Sequence, residues 1–549
     1  MDKPLIVQTN RSLILNTHAP LAEECRRDII NFAQLVKCPE HIHTFEISAL
    51  SLFNACSLKI TEEYVIDTLN KYSMYDIPET LKYYIQDIMT RYNAIYLKEF
   101  DKENFVLYVA NKKFLPIVLN IVNSTPYLNQ VGEFTFTLEK KYRGQVKLKL
   151  IERELPVIDT IALHIGDPIK LALLDTTKGG KEFRVRDYQK QSTKYFMENA
   201  LGHGVIVLPC GAGKTIVGID VINKLQTKTL VLTPNITAAK QWKRELLDKT
   251  TLTEEDVGEY TSEVKEIRNI TISTYQMMIY RNKKTNKFDT LDKFLSINWG
   301  LVIYDEVHLL PAPVFQFTCE LQSIYRLGLT ATLVREDGKE KNVFSLVGPK
   351  VYDVAWQILE NDGFIAKAYC HEIRVDLEEA KQVDYLVADE REQFKIASKN
   401  RNKFKVINKL LKKHEGEQIL IIGIYLDQLK EIQEEFDIPI IIGSTATKVR
   451  EDLYSKFKNG EIKVLLVSKV ANFAVDLPDA SVAIEVSGTY GSRAEEAQRL
   501  GRILRPKDID SNFYTLVTKY SKEESYSFKR QKFLIEQGYT YTIENDIDD

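Results

Sequence analysis

Residues 205–218 read VIVLPCGAGKTIVG, and the fold turns on how that stretch divides. VIVL has the β-branched, uniformly apolar composition of a strand buried on both faces. Pro209, Cys210, Gly211, Ala212 and Gly213 form a short glycine-punctuated turn. Lys214 and Thr215 then open IVGIDVINKL, whose apolar residues fall at helical spacing. A buried strand passing through a glycine loop and Lys-Thr into a helix is a P-loop arrangement. Gly211 and Gly213 let backbone N–H groups close around phosphate oxygens, and the helix N-terminus adds a favourable dipole. ATP is therefore expected on this loop, with Lys214 at the β- and γ-phosphates and the Thr215 hydroxyl on Mg2+. Leu208 stands where the strict pattern has its first glycine.

A second buried strand, WGLVIY at 299–304, runs into Asp305-Glu306-Val307-His308. A carboxylate at the C-terminal end of such a strand faces the P-loop's magnesium. Asp305 is thus expected as a Mg2+ ligand, and Glu306 as the group that orients and deprotonates an attacking water. Upstream, FRVRDYQ at 183–189 brings Arg186 and Gln189 just before the loop, and a glutamine amide suits an adenine edge. TLVLTP (229–234), TISTYQ (271–276) and RLGLTAT (326–332) repeat the strand pattern. This strand–helix alternation, from 183 to about 350, predicts a doubly wound parallel sheet.

From Gln418 the alternation resumes with QILIIG, LDQLKEIQEEF, IPIIIG, EDLYSKFKNG, KVLLVS and SVAIEVS, a second parallel α/β lobe without its own P-loop. QRLGRILR at 498–505 holds Gln498, Arg502 and Arg505, the two arginines three apart on one helical face. Two readings stand: a solvated face, or arginine fingers reaching the γ-phosphate if the lobes close on ATP.

At 549 residues the chain exceeds a single core, so several domains are expected. Its net charge of -3 requires any nucleic-acid surface to be local. No window approaches the roughly 18 unbroken apolar residues of a membrane helix. The opening MDKPLIVQTNRSL lacks a signal-peptide core, so a cytoplasmic location is expected. Six cysteines without a CxxC pair argue against a disulfide framework, a zinc ribbon or an iron–sulfur cluster. Cys38, His41 and His43 invite a metal reading, but no fourth ligand accompanies them.

The first part of the chain carries strand-like LIVQ and SLILNT, then a helix expected from Pro20 to about Lys37. A helix capped by Thr61 and another opened by Asp76 and Pro78 follow, then the strands AIYLKEF and FVLYVA. Two helices and a hairpin suit a winged helix, or equally a helical adaptor with no ligand. FTFTLEKKYRGQVKLKL, 134–150, alternates around a basic tip and predicts a β-hairpin. Lys140, Lys141, Arg143, Lys147 and Lys149 there either follow a phosphate backbone or protect an edge strand. TTKGGKE, 176–182, reads as a linker, and the acidic tail ENDIDD as disordered.

Together these motifs resemble a superfamily 2 helicase. LPCGAGKT, DEVHLLPAPVF and RLGLTATLVRED, with Arg335-Glu336-Asp337 at the RED position, are similar to the XPB family; PLIVQ and PEHIHTFEISALSLFNA resemble its bacterial members. The resemblance implies two RecA-like doubly wound parallel-sheet lobes preceded by an α+β N-terminal region. It also implies a DNA-dependent ATPase that unwinds or translocates along DNA 3′→5′, acting in repair or transcription-linked remodelling. DNA is the expected partner, with a nuclease recruited in the scaffold reading, and the cytoplasmic location is expected to be at the nucleoid. Asp476, in SKVANFAVDLP, matches the family's nucleotide-side carboxylate, although Ala474 replaces a typical glycine. The mixed charge of Arg335, Glu336 and Asp337 suits a strand-separating wedge or an interdomain latch better than a phosphate-binding patch; a local Arg–carboxylate pair on the surface is the other reading. The expected domains are 1–99, winged-helix-like; 100–175, damage-recognition-like; 176–372, lobe 1; and 373–549, lobe 2. A Lys- and Arg-rich thumb-like segment is placed at 377–404. The alternatives are a double-strand translocase and an ATP-gated damage-binding scaffold that recruits a nuclease.

Overall fold

The structure is a computed structural model; it describes residues 3–37, 42–161, 166–199, 202–209, 211–280, 289–310, 325–331, 340–354, 368–468, 480–488, 510–527, 534 and 540–545. It forms two compact units, Met1–Leu208 with Gly213–Asp353, and Pro209–Ala212 with Val354–Asp549.

The first unit begins with β1 (Leu5–Val7), β2 (Ser12–Asn16), α1 (Ala22–Ile29), β3 (Gln34–Lys37) and β4 (Ile42–Glu46). Their antiparallel sheet has the order β1-β2-β4-β3. The helix expected to run to Lys37 stops at Ile29. The Asn31 side-chain amide donates to the carbonyls of Arg27 and Asp28, ending it, and Gln34–Lys37 pairs as a strand instead. Three helices follow: α2 (Ala49–Ser57), α3 (Glu62–Tyr72), whose N-cap Thr61 accepts from the Tyr64 N–H, and α4 (Glu79–Arg91).

The next sheet contains β5 (Ile95–Glu99), β6 (Asn104–Val109), β7 (Asn129–Gly132), β8 (Thr135–Glu139) and β9 (Val157–Asp159), in the order β7-β8-β6-β5-β9. It carries α5 (Leu115–Asn123) and α6 (Arg143–Glu152). The β5–β6 hairpin therefore belongs to this sheet, not to α3 and α4, so no winged helix forms there. The expected boundary at 99/100 cuts the hairpin, since Glu99 pairs with Phe105.

The hairpin expected over 134–150 does not form. β8 ends at Glu139, a 3₁₀ turn follows, and Arg143–Glu152 is helical. Arg143, Val146, Lys147, Leu150 and Ile151 are buried, a helical spacing hidden within the K-L-K-L alternation. What draws two cations inward is Asp159. Its carboxylate accepts from Arg143 Nε at 2.8 Å and Lys147 Nζ at 3.0 Å, and lies 3.9 Å from Arg326 on the following sheet. Burial raises the Asp159 carboxyl, but Arg143 and Lys147 outweigh it and hold the group well below the usual range. Burial also brings Lys147 down to about 8, against the opposing pull of Asp159.

Lobe 1 contains α7 (Asp187–Asn199), β10 (His203–Val207), α8 (Lys214–Leu225), β11 (Thr229–Thr233) and α9 (Ile236–Lys249). β12 (Val257–Tyr260), β13 (Ile270–Thr274), β14 (Leu301–Asp305), β15 (Tyr325–Thr330) and β16 (Lys350–Asp353) complete its sheet. Among the described residues these strands are all parallel, in the order β12-β13-β11-β14-β15-β10-β16. An edge strand leaves peptide groups unpaired. At β16, α2 meets that need: Asn54 Oδ1 accepts from the Lys350 N–H, and the Ser57 hydroxyl donates to the Lys350 carbonyl.

The second unit holds β17 (Ala368–Val375), β18 (Ile419–Gly423), β19 (Ile440–Ile441), β20 (Val464–Ser468), β21 (Val482–Glu485), β22 (Ser511–Thr518) and β23 (Thr540–Glu544). These are also parallel, in the order β19-β20-β18-β21-β22-β17-β23. Numbered from its own first strand, each lobe has the same order, 3-4-2-5-6-1-7. β17 starts before residue 373, so the expected boundary there falls inside a strand. The core of this unit includes a buried ion pair in which Lys403 Nζ donates to Glu523 at 2.8 Å and to the carbonyls of Val486 and Ser398.

Asp159→Asn leaves Arg143 and Lys147 buried without their counter-charge, and losing one member of a buried pair costs about 3–5 kcal/mol. A urea titration should show the first unit losing stability on that scale. A midpoint unchanged from the native chain would mean that the cluster does not hold α6 in place.

Candidate nucleotide-binding site

In a parallel sheet every strand ends on the same edge, and a site forms in the loops beyond those ends. β10 and β14 are separated only by β15, about 10 Å apart at ordinary strand spacing. Gly213 takes the left-handed conformation, φ 75°, and caps α8, placing Lys214 in its first turn. Lys214 Nζ spans the gap and meets Glu306 Oε1 at 2.8 Å, with both side chains largely buried. The phosphate-loop lysine and the second strand-end acid are thus one ion pair.

Glu306 is itself left-handed, φ 49°, at the turn after β14. A non-glycine residue takes that conformation at a cost of about 1–2 kcal/mol. Burial raises its carboxyl, but Lys214 and then His308 outweigh burial and lower it. His308 Nδ1 lies 3.5 Å from Glu306 and 2.8 Å from the Thr330 hydroxyl at the end of β15. Asp305 moves the other way. Burial, and then the charge of Glu306, push it up to about 6.

Asp305 is held from two sides. The indole N–H of Trp242, on α9, donates to its Oδ2 at 2.9 Å, and the Tyr275 hydroxyl donates to its backbone carbonyl at 2.7 Å. Local sequence pattern marks neither residue for a role at the site. Trp242 reads as one more apolar position on α9, and its link to Asp305 spans chain that local periodicity does not cover.

Gln189 is buried at the start of α7. Its Oε1 accepts from the Arg186 N–H at 2.9 Å, and a Cβ on Gly213 would lie 2.6 Å from its Nε2. The Arg186 guanidinium donates to the Tyr188 hydroxyl at 3.3 Å. Thr215 follows Lys214 in the first turn of α8. Pro209, Gly211 and Ala212 are described; Cys210 lies outside the described residues. So do Arg335, Glu336, Asp337, Asp476, Gln498, Arg502, Arg505, Cys38 and His41. His43 is buried in β4, where burial and then Arg26 lower it to about 4.

The expected basic surface is smaller than its composition suggests. Arg143 is buried against Asp159 and is not presented at the surface. Lys140 lies 3.9 Å from Glu99, and Lys141 pairs with Glu139 at 2.6 Å. In the thumb-like segment Lys381 pairs with Asp384, Lys395 with Glu392, Lys399 with Asp427 and Arg401 with Glu431. Lys403 is fully buried on Glu523, so it is structural.

The chain is 45% identical to the DNA 3′-5′ helicase XPB of Mycobacterium tuberculosis (strain ATCC 25618 / H37Rv), covering 100% of this chain and 98% of that one. It is 43% identical to the DNA 3′-5′ helicase XPB of Kineococcus radiotolerans (strain ATCC BAA-149 / DSM 14245 / SRS30216), over 99% of this chain and 96% of that one. The chain belongs to the XPB family.

Residues 359–549 match the ERCC3/RAD25/XPB C-terminal helicase family, 182–335 the type III restriction enzyme res subunit family, and 5–129 a helicase conserved C-terminal domain. The fold of this XPB-family chain is shared with an ATP-dependent type ISP restriction-modification enzyme, LlaBIII, bound to DNA. That match has a TM-score of 0.50 at 13% identity and covers 66% of this chain and 31% of the other. Among the described residues, no helix is long and apolar enough to cross a membrane.

The left-handed turn at residue 306 leads to a stability test that separates charge from conformation. Glu306→Gln and Glu306→Gly both remove the carboxylate, but only glycine takes φ 49° without strain. Glu306→Gly should be the more stable of the two by about 1 kcal/mol in urea unfolding. Equal midpoints would show that the turn is unstrained.

Proposed function

We propose that the chain is an ATP-driven 3′→5′ DNA helicase of the XPB type, hydrolysing ATP at the Lys214–Glu306 site and acting in DNA repair or transcription-linked remodelling. The observation that carries this is the 2.8 Å pairing of the phosphate-loop lysine with the strand-end acid. Phosphate oxygens compete for Lys214, and an occupied loop takes that charge from Glu306, freeing it to accept a proton from water.

The residues fit Mg2+. Asp305 and the Thr215 hydroxyl are hard oxygen donors, and a buried carboxyl pushed up to about 6 beside a second acid is short of positive charge. Bound there, Mg2+ would neutralise charge developing on the β- and γ-phosphate oxygens. Pro209, Cys210, Gly211, Ala212 and Gly213 supply the loop around the phosphates; Arg186 and Gln189 serve the base, and Asp476 is assigned to nucleotide binding. Gln498, Arg502 and Arg505 act on the γ-phosphate. Arg335, Glu336 and Asp337 work at the point of strand separation. Lys140 and Lys141 exchange weak surface pairs, worth about 0–1 kcal/mol, for DNA phosphates. A nuclease partner and a nucleoid location complete the proposal.

Lys214→Ala should lower DNA-stimulated ATPase by orders of magnitude while DNA binding without nucleotide persists. Near-native hydrolysis would end the assignment of the loop.

Arg502→Ala and Arg505→Ala should each reduce kcat, by roughly 10³–10⁵ for a full arginine finger, with little change in ATP affinity. A raised KM at native kcat would assign them to ground-state binding instead.

A further inference from the structure

Trp242 and Trp299 are both buried, and they satisfy their indole N–H groups differently. Trp299 donates to the backbone carbonyl of Phe294 at 2.9 Å, an ordinary solution for a core tryptophan. Trp242 donates at the same distance to a side-chain carboxylate, Oδ2 of Asp305. Its ring is fixed from the opposite side as well. A Cβ on Gly218, one turn beyond Lys214 on α8, would lie 2.4 Å from Trp242 Cη2. One side chain thus touches the helix that carries Lys214 and Thr215 and the strand end that carries Asp305.

We propose that Trp242 is a positioning residue, whose indole N–H fixes the rotation of the Asp305 carboxylate for a divalent cation, with Gly218 providing the space the ring needs. This rests on the reading of Asp305 as a Mg2+ ligand. A neutral donor suits the task. Lysine or arginine at this place would neutralise Asp305 and compete with the cation, whereas an indole N–H orients the carboxylate and leaves its charge. Lys214 makes its 2.8 Å ion pair with Glu306 rather than with Asp305. Tyr275 fixes the backbone of the same residue through its carbonyl, so main chain and side chain of Asp305 are held by separate donors. Hydrogen-bond partners behind a ligand typically account for about 10–100-fold in metal affinity.

The test reads binding, not turnover. The full chain is titrated with a fluorescent, non-hydrolysable ATP analogue, first in EDTA and then at increasing Mg2+. Trp242→Phe removes the N–H and keeps an aromatic ring. It should leave the EDTA affinity unchanged and raise the half-saturating Mg2+ concentration by about 10-fold or more. Gly218→Ala keeps the N–H but presses a methyl into the ring, and should shift Mg2+ dependence in the same direction. Trp299→Phe, which makes the same change of ring and N–H at a core tryptophan bonded to the Phe294 carbonyl, should change the melting temperature without moving the Mg2+ midpoint. Native Mg2+ dependence in Trp242→Phe, or in Gly218→Ala if the first variant does not fold, overturns the proposal. Wild-type protein whose analogue affinity ignores Mg2+ overturns it too, and does so by removing the metal reading beneath it.

Discussion

Lys214 reaches Glu306 because both residues leave the same edge of one parallel sheet. Parallel strands require a crossover between each pair, so all their C-terminal ends face one way and the functional loops collect there. With β15 between β10 and β14, the two loops stand about 10 Å apart, a gap that a lysine stem bridges. The rest of the site follows from this pairing. Glu306, in direct contact with Lys214, is lowered; at Asp305 burial and the charge of Glu306 outweigh the indole N–H and the more distant pull of Lys214, and the carboxyl is driven up. Two adjacent acids are therefore set apart by their partners, which is how neighbouring carboxylates acquire different tasks.

The two lobes repeat one strand order and differ at the chemically decisive place. In lobe 1 the first strand of the sheet, β10, runs into the glycine loop and α8. In the second unit the corresponding strand, β17, runs into Asp376-Leu377-Glu378-Glu379, with neither glycine nor lysine. Carboxylates at a helix start repel phosphate, so the loop after β17 is not built as an anion cradle. A common strand order thus carries a glycine loop after its first strand in lobe 1 and an acidic segment after it in the second unit.

Ahead of the lobes, the N-terminal segments are joined to lobe 1 by polar contacts as well as apolar packing. α2 satisfies the peptide of an edge strand, and Asp159 gathers Arg143, Lys147 and Arg326 from two sheets around one carboxylate. Such contacts are directional, and a buried charge tolerates little displacement. The same geometry accounts for the smaller basic surface, because cations that look available for DNA in the sequence are occupied inside the protein.

Much of this protein is legible from residue order alone. The P-loop, the Asp305-Glu306 strand end and most lobe strands carry local signals: uniform apolar runs, glycine where φ is positive, and acids where a strand stops. Those signals come from backbone geometry within a few residues. What escaped them was decided by partners far along the chain. The segment 143–152 is a helix rather than a hairpin arm because Asp159 draws Arg143 and Lys147 inward, and β5 and β6 join a second sheet because β8 and β9 lie beside them. Trp242 carries no local mark of its bond to Asp305, and the Lys403 charge gives no sign of Glu523. Short-range periodicity states which face of an element is apolar; it does not state which distant carboxylate a buried cation or indole will meet. That choice belongs to tertiary packing, where leaving a buried charge or N–H without a partner costs more than any local preference contributes.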